Sequence, residues 1–264
     1  MNLNKVIDSK HPNIPKYLTQ PLKNKAQTTI GLPVPSAKPR VFVLSIGVNS
    51  NNSDSPLFYA DKDAQDFSDT FVQKTDSNKQ VYSIVLKNAQ ANNESIMAAF
   101  KWLSQAVTSR DSVNILFSGH GFVDYRTQHY YFLSYDKAGR ITTNNLLSDV
   151  WITDLISSLS GDVQLFIDSC YSSNYNDYLF VHVPTLKAKS FVSYSSSLSW
   201  RSSYESLENK NGFFTFSILE GLKGKADKNK DGILTPEELF LYTKIVTPKL
   251  SNGLQSPDFL QYHR

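Results

Sequence analysis

Hydrophobic residues along the chain form two patterns, continuous apolar runs and helical repeats of three or four residues. Five continuous runs are rich in β-branched residues, which is typical of strands buried on both faces of a sheet. They are RVFVLSIGVN (40–49), QVYSIVL (80–86), DSVNILFSG (111–119), DVQLFIDSC (162–170) and KSFVSYSSS (189–197). The stretch HYYFLSYD (129–136) indicates a further short hairpin strand.

Helical repeats lie between these runs and after the last of them. Each repeat places its apolar side chains on one face of a helix. The predicted helices are 57–72, 92–107, 150–159, 212–224 and 236–246. Apolar strands that alternate with helices in this way predict an α/β fold, with a mostly parallel central sheet and helices on both faces.

The first 39 residues differ from the rest and predict an N-terminal arm or propeptide, outside a domain at 40–264. Residues 1–40 carry seven Lys or Arg side chains against one acid, Asp8, and hold six of the eleven prolines. Such a segment buries too little apolar surface to order itself. Its charges are dispersed rather than clustered, which favours a solvated tail over an arm that binds a membrane or nucleic acid.

Composition narrows the classes of function. A formal net charge of +3 over 264 residues does not indicate nucleic-acid binding. The chain lacks the run of about 18 apolar residues that a membrane helix needs, and its start has no apolar segment typical of a secretory signal. One cysteine cannot form an intramolecular disulfide, so we expect a reducing, cytoplasmic location. Neither glycine-rich phosphate-binding signature occurs, which disfavours a nucleotide-binding protein.

Two of the apolar runs end in residues capable of nucleophilic chemistry. NILFSGHG (114–121) ends with His120 between two glycines, and VQLFIDSC (163–170) ends at Cys170. Sites in open parallel sheets form beyond the carboxyl ends of the strands, so neighbouring strands bring these side chains together. A histidine can hold a cysteine as its reactive thiolate, and the amides of Gly121 and Cys170 are candidates for an oxyanion hole. Taken singly, each residue is more often structural.

The segments FSGHG and FIDSC, in this order and about 50 residues apart, resemble the catalytic motifs of caspase-like cysteine peptidases. This superfamily includes caspases, metacaspases and bacterial relatives. LFYADKDAQDF and SYSSSLSWRSSYE are similar to other segments of the family, and the resemblance covers roughly residues 40–264. It implies a caspase-like three-layer sandwich and a cysteine endopeptidase, with Cys170 as nucleophile, His120 as general base or acid, and no required cofactor.

This chain departs from the family pattern directly after the nucleophile. YSS (171–173) stands where His-Ser-Gly is usual. Neither Tyr171 nor Ser173 is expected to take part in the chemistry. Loss of the glycine is expected to reshape the loop. This change bears on how fast the protein turns over substrate more than on whether it is active.

The resemblance also implies a substrate pocket. Asp168 stands where metacaspase-like members keep an acid on the floor of the P1 pocket, and an acid there suits Lys or Arg at P1. Ser195 and Ser196, near the pocket strand, are the other expected substrate-binding residues. Caspases instead select Asp with arginines, and Arg201 is the one candidate for that role, so a P1 Asp stays open. A purely structural Asp168 at the strand end is the other alternative.

The segment between Cys170 and the next strand corresponds to the region where caspase relatives are cut on maturation. Lys187 and Lys189 lie in it and are self-cleavage sites if the P1 preference is basic. An uncut surface loop is the alternative.

DKNKDGILTPEE (227–238) matches a twelve-residue EF-hand loop position by position. Carboxylates, amide and carbonyl oxygens at the ligand positions suit calcium, and a glycine occupies the sharp turn. The ligands would be Asp227, Asn229, Asp231, the carbonyl of Ile233, and Glu238. EF-hands normally pair and no second loop is present, so a vestigial helix connector is the alternative.

Two functions therefore stay open. The first is a cysteine endopeptidase that acts on a protein or peptide substrate. The second is a catalytically weak caspase-like module that responds to calcium and binds signalling partners. Intact His120 and Cys170 favour the first function, and the sequence indicates neither the physiological substrate nor the oligomeric state.

Overall fold

The computed structural model describes residues 38–50, 56–74, 79–137, 141–198 and 203–264, together with Pro33 and Ser36. Most of the predicted arm (1–39) lies outside the described residues, and so does Arg201. No helix in the described ranges is long and apolar enough to cross a membrane.

Strands and helices of the described residues are numbered in chain order. The strands are β1 (Arg40–Gly47), β2 (Gln80–Lys87), β3 (Ser112–Ser118), β4 (Gly121–Asp124), β5 (His129–Leu133), β6 (Leu146–Ser148), β7 (Asp162–Asp168), β8 (Ser190–Ser195), β9 (Glu205–Ser206), β10 (Asn211–Gly212) and β11 (Asp258–His263). The helices are α1 (Ala60–Lys74), α2 (Asn93–Ala106), α3 (Asp149–Ser157), α4 (Ser173–His182), α5 (Phe213–Glu220) and α6 (Pro236–Leu250).

Five of the six strands in the central sheet come from the predicted apolar runs, and the sixth, β11 at one edge, was not predicted. Its strands hydrogen-bond in the order β11-β8-β7-β3-β1-β2. Every neighbouring pair is parallel except β11 and β8, which are antiparallel at one edge. The predicted α/β fold with a mostly parallel sheet is confirmed. A separate antiparallel sheet of β4, β5 and β6 contains the predicted hairpin strand.

Helices cover both faces of the sheet, as predicted. Side chains of α2, α3 and α4 join one buried cluster, and side chains of α1, α5 and α6 join a second. Phe42 and Leu44 belong to the first cluster and Val43 to the second. Because successive strand residues point to opposite faces, the two clusters lie on opposite sides of the sheet. The result is a three-layer sandwich.

The segment after Cys170 is largely helical, which its sequence pattern did not predict. It forms α4 and then a short connection to β8, and β8 begins with Ser190 opposite Asp162, the first residue of β7. The N–H of Lys189 donates to the carbonyl of Gly161. Lys187 and Lys189 therefore lie at the end of the sheet opposite to Cys170, and self-cleavage after them stays a prediction.

A buried ion pair aligns the strands at that same end of the sheet. Arg40 begins β1 and Asp111 precedes β3, and their side chains are 2% and 1% exposed. Asp111 accepts hydrogen bonds from the backbone N–H of Arg40 at 2.9 Å and from its guanidinium at 2.7 Å. Its carbonyl accepts from the N–H of Asp162, the first residue of β7. One aspartate thus connects the starts of β1, β3 and β7.

We expect Asp111→Ala to lower the free energy of unfolding by about 3–5 kcal/mol, because it leaves the Arg40 guanidinium buried without its partner. Urea denaturation at pH 7 measures this loss. Arg126→Ala, which removes only an exposed pair with Asp124, serves as the control and should cost less than about 1 kcal/mol. Equal losses for the two variants would contradict this role of the buried pair.

The same pair makes stability depend on pH. Burial alone would raise the pKa of Asp111, but hydrogen bonds from Arg40 and Thr108 outweigh burial and lower it. A lowered folded-state pKa means that the stabilisation is present above the unfolded pKa of about 3.9 and is lost as the pH falls through the folded value. The difference in unfolding free energy between wild type and Asp111→Ala should therefore shrink below about pH 4.

Candidate active site

The ends of β3 and β7 lie side by side, as the sequence predicts. Ser118, the last residue of β3, is level with Asp168, the last residue of β7. The N–H of Gly119 donates to the Asp168 carbonyl at 3.1 Å, so the two chains stay hydrogen-bonded as they leave the sheet. His120 and Cys170 both follow from this junction, and both line one cavity of about 230 Å³.

The backbone of His120 is held against the antiparallel sheet of β4, β5 and β6. Its carbonyl accepts from the N–H of Leu133 at 2.9 Å, which fixes the chain against β5. Burial lowers the pKa of the imidazole below its ordinary value of 6.5. The ring is therefore neutral at pH 7 and has a nitrogen that can accept a proton.

Cys170 sits half-buried in a tight turn between β7 and α4. Tyr171, the next residue, has a φ of +59°, a left-handed conformation that costs energy for a bulky side chain. The N–H of Ser203 donates to the Cys170 Sγ at 3.4 Å. Cys170 is thus presented by a strained turn and contacted by a backbone donor from a distant segment.

Buried serines hold this turn in place. The hydroxyls of Ser196 and Ser197 donate to the Ser169 carbonyl at 3.0 and 3.1 Å. The hydroxyl of Ser195 donates to the Ser172 carbonyl at 3.2 Å. Ser195 and Ser196 were expected to bind substrate, but both are 0% exposed and neither lines the cavity. Both serines therefore hold the turn that carries Cys170.

Gly121 lies where only a glycine fits. A Cβ on it would come within 2.7 Å of the Ser169 and Tyr130 hydroxyls and 2.9 Å of the Cys170 carbonyl. The bond between Leu133 and His120 makes Gly121–Phe132 a non-hydrogen-bonded pair, so the Gly121 N–H points away from β5. Gly121 therefore lies next to the Cys170 turn with its N–H not bonded to β5, and its oxyanion role stays a prediction.

Two buried carboxylates line the cavity below the cysteine. Asp168 accepts from the Ser203 hydroxyl on one oxygen and from Thr215 N–H and hydroxyl on the other. Asp63, from α1, accepts from the Ser118 hydroxyl at 2.8 Å and from the N–H of Gly212. Burial raises the pKa of both acids, and the charge of Asp168 raises that of Asp63 further. A cation in the cavity would favour the ionised form of both.

Gly212 permits this close pairing of acids. A Cβ at that position would lie 2.2 Å from Asp168 Oδ2 and 3.2 Å from Asp63 Oδ2. A third acid, Glu205, lines the cavity and accepts from the N–H groups of Phe58 and Tyr59, each at 2.8 Å. It fixes the loop before α1 against β9.

Asp63, Glu205 and Ser203 are site residues that the sequence analysis did not identify. Asp63 could have been identified from the sequence, because it lies on the buried face of α1 between Ala60 and Ala64. An acid on a buried helix face requires partners or a function. Ser203 and Glu205 lie in the segment SYSSSLSWRSSYE that resembles the family, but no periodicity singled out either residue.

The EF-hand-like loop is separate from this cavity. Asp227 Oδ2 accepts from the N–H of Gly232, which has a φ of +80°, and Asp227 Oδ1 is buried without a hydrogen-bond partner. Asn229 and Asp231 bond to each other, and Asp231 also accepts from the N–H of Ile233. Glu238 accepts from Thr235 as part of the capping box of α6.

Asn229, Asp231 and Glu238 are thus hydrogen-bonded within the loop and its cap, whereas Asp227 keeps one oxygen without a partner. Within the described ranges, no group of three or more His, Cys, Asp or Glu side chains is arranged to hold a metal ion. The oxygen donor set suits a hard cation such as calcium. Glu238 would have to leave the capping box to join it.

Iodoacetamide should alkylate Cys170 at pH 7 at least about tenfold faster in the wild type than in His120→Ala, because the neutral His120 ring can accept the thiol proton as Sγ reacts. Mass spectrometry over time measures the rate. His129→Ala is the matched control, because this histidine bonds to Asp149 and does not line the cavity. Equal alkylation rates in the wild type and in His120→Ala would contradict a functional contact between His120 and Cys170.

Comparison with known proteins agrees with this geometry. The family model described as metacaspase, peptidase C14 domain, matches residues 43–179. Protein GSU0716 from Geobacter sulfurreducens has a similar solved structure with a TM-score of 0.64, 16% identity, and coverage of 86% of this chain and 94% of that chain. At this identity the likeness concerns the fold alone, and no curated protein matches the chain. Because the family model spans more than half of the chain, including His120 and Cys170, the chain belongs to the metacaspase-type peptidase C14 family.

Proposed function

We propose that this protein is a cysteine endopeptidase whose catalytic dyad is His120 and Cys170. The observation that carries the proposal is the hydrogen bond from Gly119 to the Asp168 carbonyl, which brings the two strand ends to one cavity. The lowered pKa of His120 supports a role as base, since the neutral ring can take a proton.

The reaction follows from these groups. The His120 imidazole removes the thiol proton of Cys170, and Sγ attacks the carbonyl carbon of the scissile bond. The tetrahedral intermediate collapses as the C–N bond breaks, and the imidazolium gives its proton to the leaving amine. Water, deprotonated by His120, then attacks the thioester and releases the acid and the free thiol. The amides of Gly121 and Cys170 stabilise the oxyanion in both steps.

Substrates with Arg or Lys at P1 fit this cavity best. Asp63 and Asp168 are both buried beside the nucleophile, and each is left with a raised pKa in the absence of a cation. A guanidinium or ammonium group supplies the missing positive charge and favourable hydrogen bonds. A P1 aspartate would instead add a further acid to a cavity that Asp63, Asp168 and Glu205 already line. The cavity therefore supports the basic preference over the caspase type.

In assays of paired fluorogenic peptides, kcat/KM should be at least about 100-fold higher for Arg or Lys than for Asp at P1. Cys170→Ala should lower activity by at least about 1000-fold, because the nucleophile is lost. Cleavage that persists in Cys170→Ala, or a preference for Asp, would contradict the proposal.

Asp168→Asn separates the role of the acid from that of the nucleophile. It should lower kcat/KM for P1 Arg by about 10- to 100-fold, because it removes the charge but keeps the shape. Asp149→Asn is the matched control, since Asp149 is a fully buried acid that pairs with His129 outside the cavity. A preference for Arg that is unchanged in Asp168→Asn would assign Asp168 a structural role instead.

We also propose calcium binding by the loop at 227–238, which is the basis of the alternative function as a calcium-responsive module. The unpartnered, buried Oδ1 of Asp227 is the specific observation that favours it. Asp227, Asn229, Asp231, Glu238 and the Ile233 carbonyl would hold the ion, and bound calcium would order the start of α6. A single unpaired loop is expected to bind weakly.

Isothermal titration calorimetry should give one calcium site with a Kd of about 0.1–1 mM, the range of weak EF-hand-type sites. Asp227→Asn should weaken it at least about tenfold, because the substitution removes the charge of the first ligand. Asp154→Asn, a change at an exposed acid of α3, is the control. The absence of saturable heat in the wild type would leave the loop as a helix connector.

The compartment and partners follow from the chemistry proposed. A free Cys170 that must stay reduced favours a cytoplasmic protein. The partner is a protein or peptide substrate with a basic residue, and a net charge of +3 gives no support to nucleic-acid binding.

A further inference from the structure

One buried amide, that of Gln255, connects the C-terminal part of the chain to the cavity. Gln255 follows α6 and is 0% exposed. Its Oε1 accepts from the N–H of Tyr204 at 3.2 Å, and its Nε2 donates to the Ser203 hydroxyl at 2.9 Å. The Gln255 N–H donates to the Ser251 hydroxyl, which fixes the turn that carries it.

The direction of each of these bonds is determined by the groups themselves. A backbone N–H only donates, so the oxygen of the Gln255 amide faces Tyr204 and the nitrogen faces Ser203. The Ser203 hydroxyl accepts that bond and has one proton of its own. It must therefore donate to the carboxylate of Asp168, with which it is in contact. The amide thus orients a hydroxyl toward the acid on the cavity floor.

Ser203 and Tyr204 form a wall of the cavity beside the reacting group. Both line it, and the Ser203 N–H contacts Cys170 Sγ at 3.4 Å. The Tyr204 carbonyl accepts from the N–H of Phe213, at the start of α5. This two-residue segment therefore touches the nucleophile and the acid, and Gln255 bonds to each of its residues.

We propose that Gln255 is a positioning residue, which holds Ser203 and Tyr204 so that the cavity recognises the guanidinium or ammonium group of a basic substrate. The inference rests on the proposed function, because it explains how the proposed pocket for a basic side chain is held in shape. Gln255 does not line the cavity and so acts through Ser203. Without it, the Ser203 hydroxyl is free to turn away from Asp168 and the wall loses two hydrogen bonds.

Agmatine, which carries the guanidinium and chain of arginine, tests this role without catalysis. Its Kd is measured by isothermal titration calorimetry on the full chain. Gln255→Ala should weaken agmatine binding about five- to tenfold, as expected for the loss of a buried hydrogen-bond network. Ser203→Ala should weaken it by a similar factor. The double variant should bind agmatine with about the same affinity as the single variant that binds it less tightly. Both changes break the same chain of contacts, so their effects do not add.

Ser217→Ala is the control for a loss of stability alone. Ser217 and Thr247 share a buried 2.7 Å hydroxyl bond between α5 and α6, away from the cavity. This variant should lower Tm about as much as Gln255→Ala but should leave agmatine binding unchanged. An equal loss of affinity in Ser217→Ala, unchanged affinity in Gln255→Ala, additive effects, or no binding in the wild type would each overturn the inference.

Peptide cleavage by the same proteins separates this inference from the proposed function. A rise in KM for P1 Arg peptides in Gln255→Ala, with a smaller change in kcat, is the expected result. Wild type that binds agmatine through Gln255 yet cleaves no peptide contradicts the peptidase and supports the inference. Wild type that cleaves P1 Arg peptides, with Gln255→Ala equal to it in KM and agmatine affinity, supports the peptidase and overturns the inference.

Discussion

The in-register pairing of β3 with β7 is the constraint on which the rest of the site depends. Parallel strands of equal length end at one edge, and here Ser118 is level with Asp168. A register shift of one residue would turn every buried side chain to the other face and separate His120 from Cys170. The Arg40–Asp111 pair aligns the strand starts, and the bond from Gly119 to Asp168 aligns their ends. Packing and chemistry are therefore set by the same geometry.

The site concentrates features that oppose stability. Two acids are buried close together, and Tyr171 is in a left-handed conformation. Serine hydroxyls take the place of apolar side chains beneath the turn that carries Cys170. Each is compensated locally, because hydroxyls and backbone N–H groups satisfy the carboxylates and the turn. Positive charge is the one component that the described cavity lining lacks, since no Lys or Arg lines it. A basic substrate would supply that charge. The buried acids that lower the stability of the fold would then be the same groups that give the proposed specificity.

Periodicity and strand ends predicted much of this structure, and their limits are physical. Five apolar runs became five of the six central strands, and His120 and Cys170, at the ends of two of these runs, line one cavity. The helix α4 was missed because its apolar residues follow no helical repeat. Gly212 and Asp63 are 149 residues apart, and Gln255 reaches Ser203 across 52, so only the folded chain brings them together. Single polar residues in short loops leave no pattern from which such contacts can be predicted.

We propose that Cys170 is a nucleophile beside a cavity that selects positive charge. Competitive labelling tests it directly, with equimolar peptide chloromethyl ketones that differ only in Arg or Asp at P1. Mass spectrometry of the intact protein and of its peptides identifies the adduct and the modified residue. We expect the Arg adduct on Cys170, in at least about tenfold excess over the Asp adduct. An excess of the Asp adduct, or an unmodified Cys170 after prolonged incubation, would contradict it.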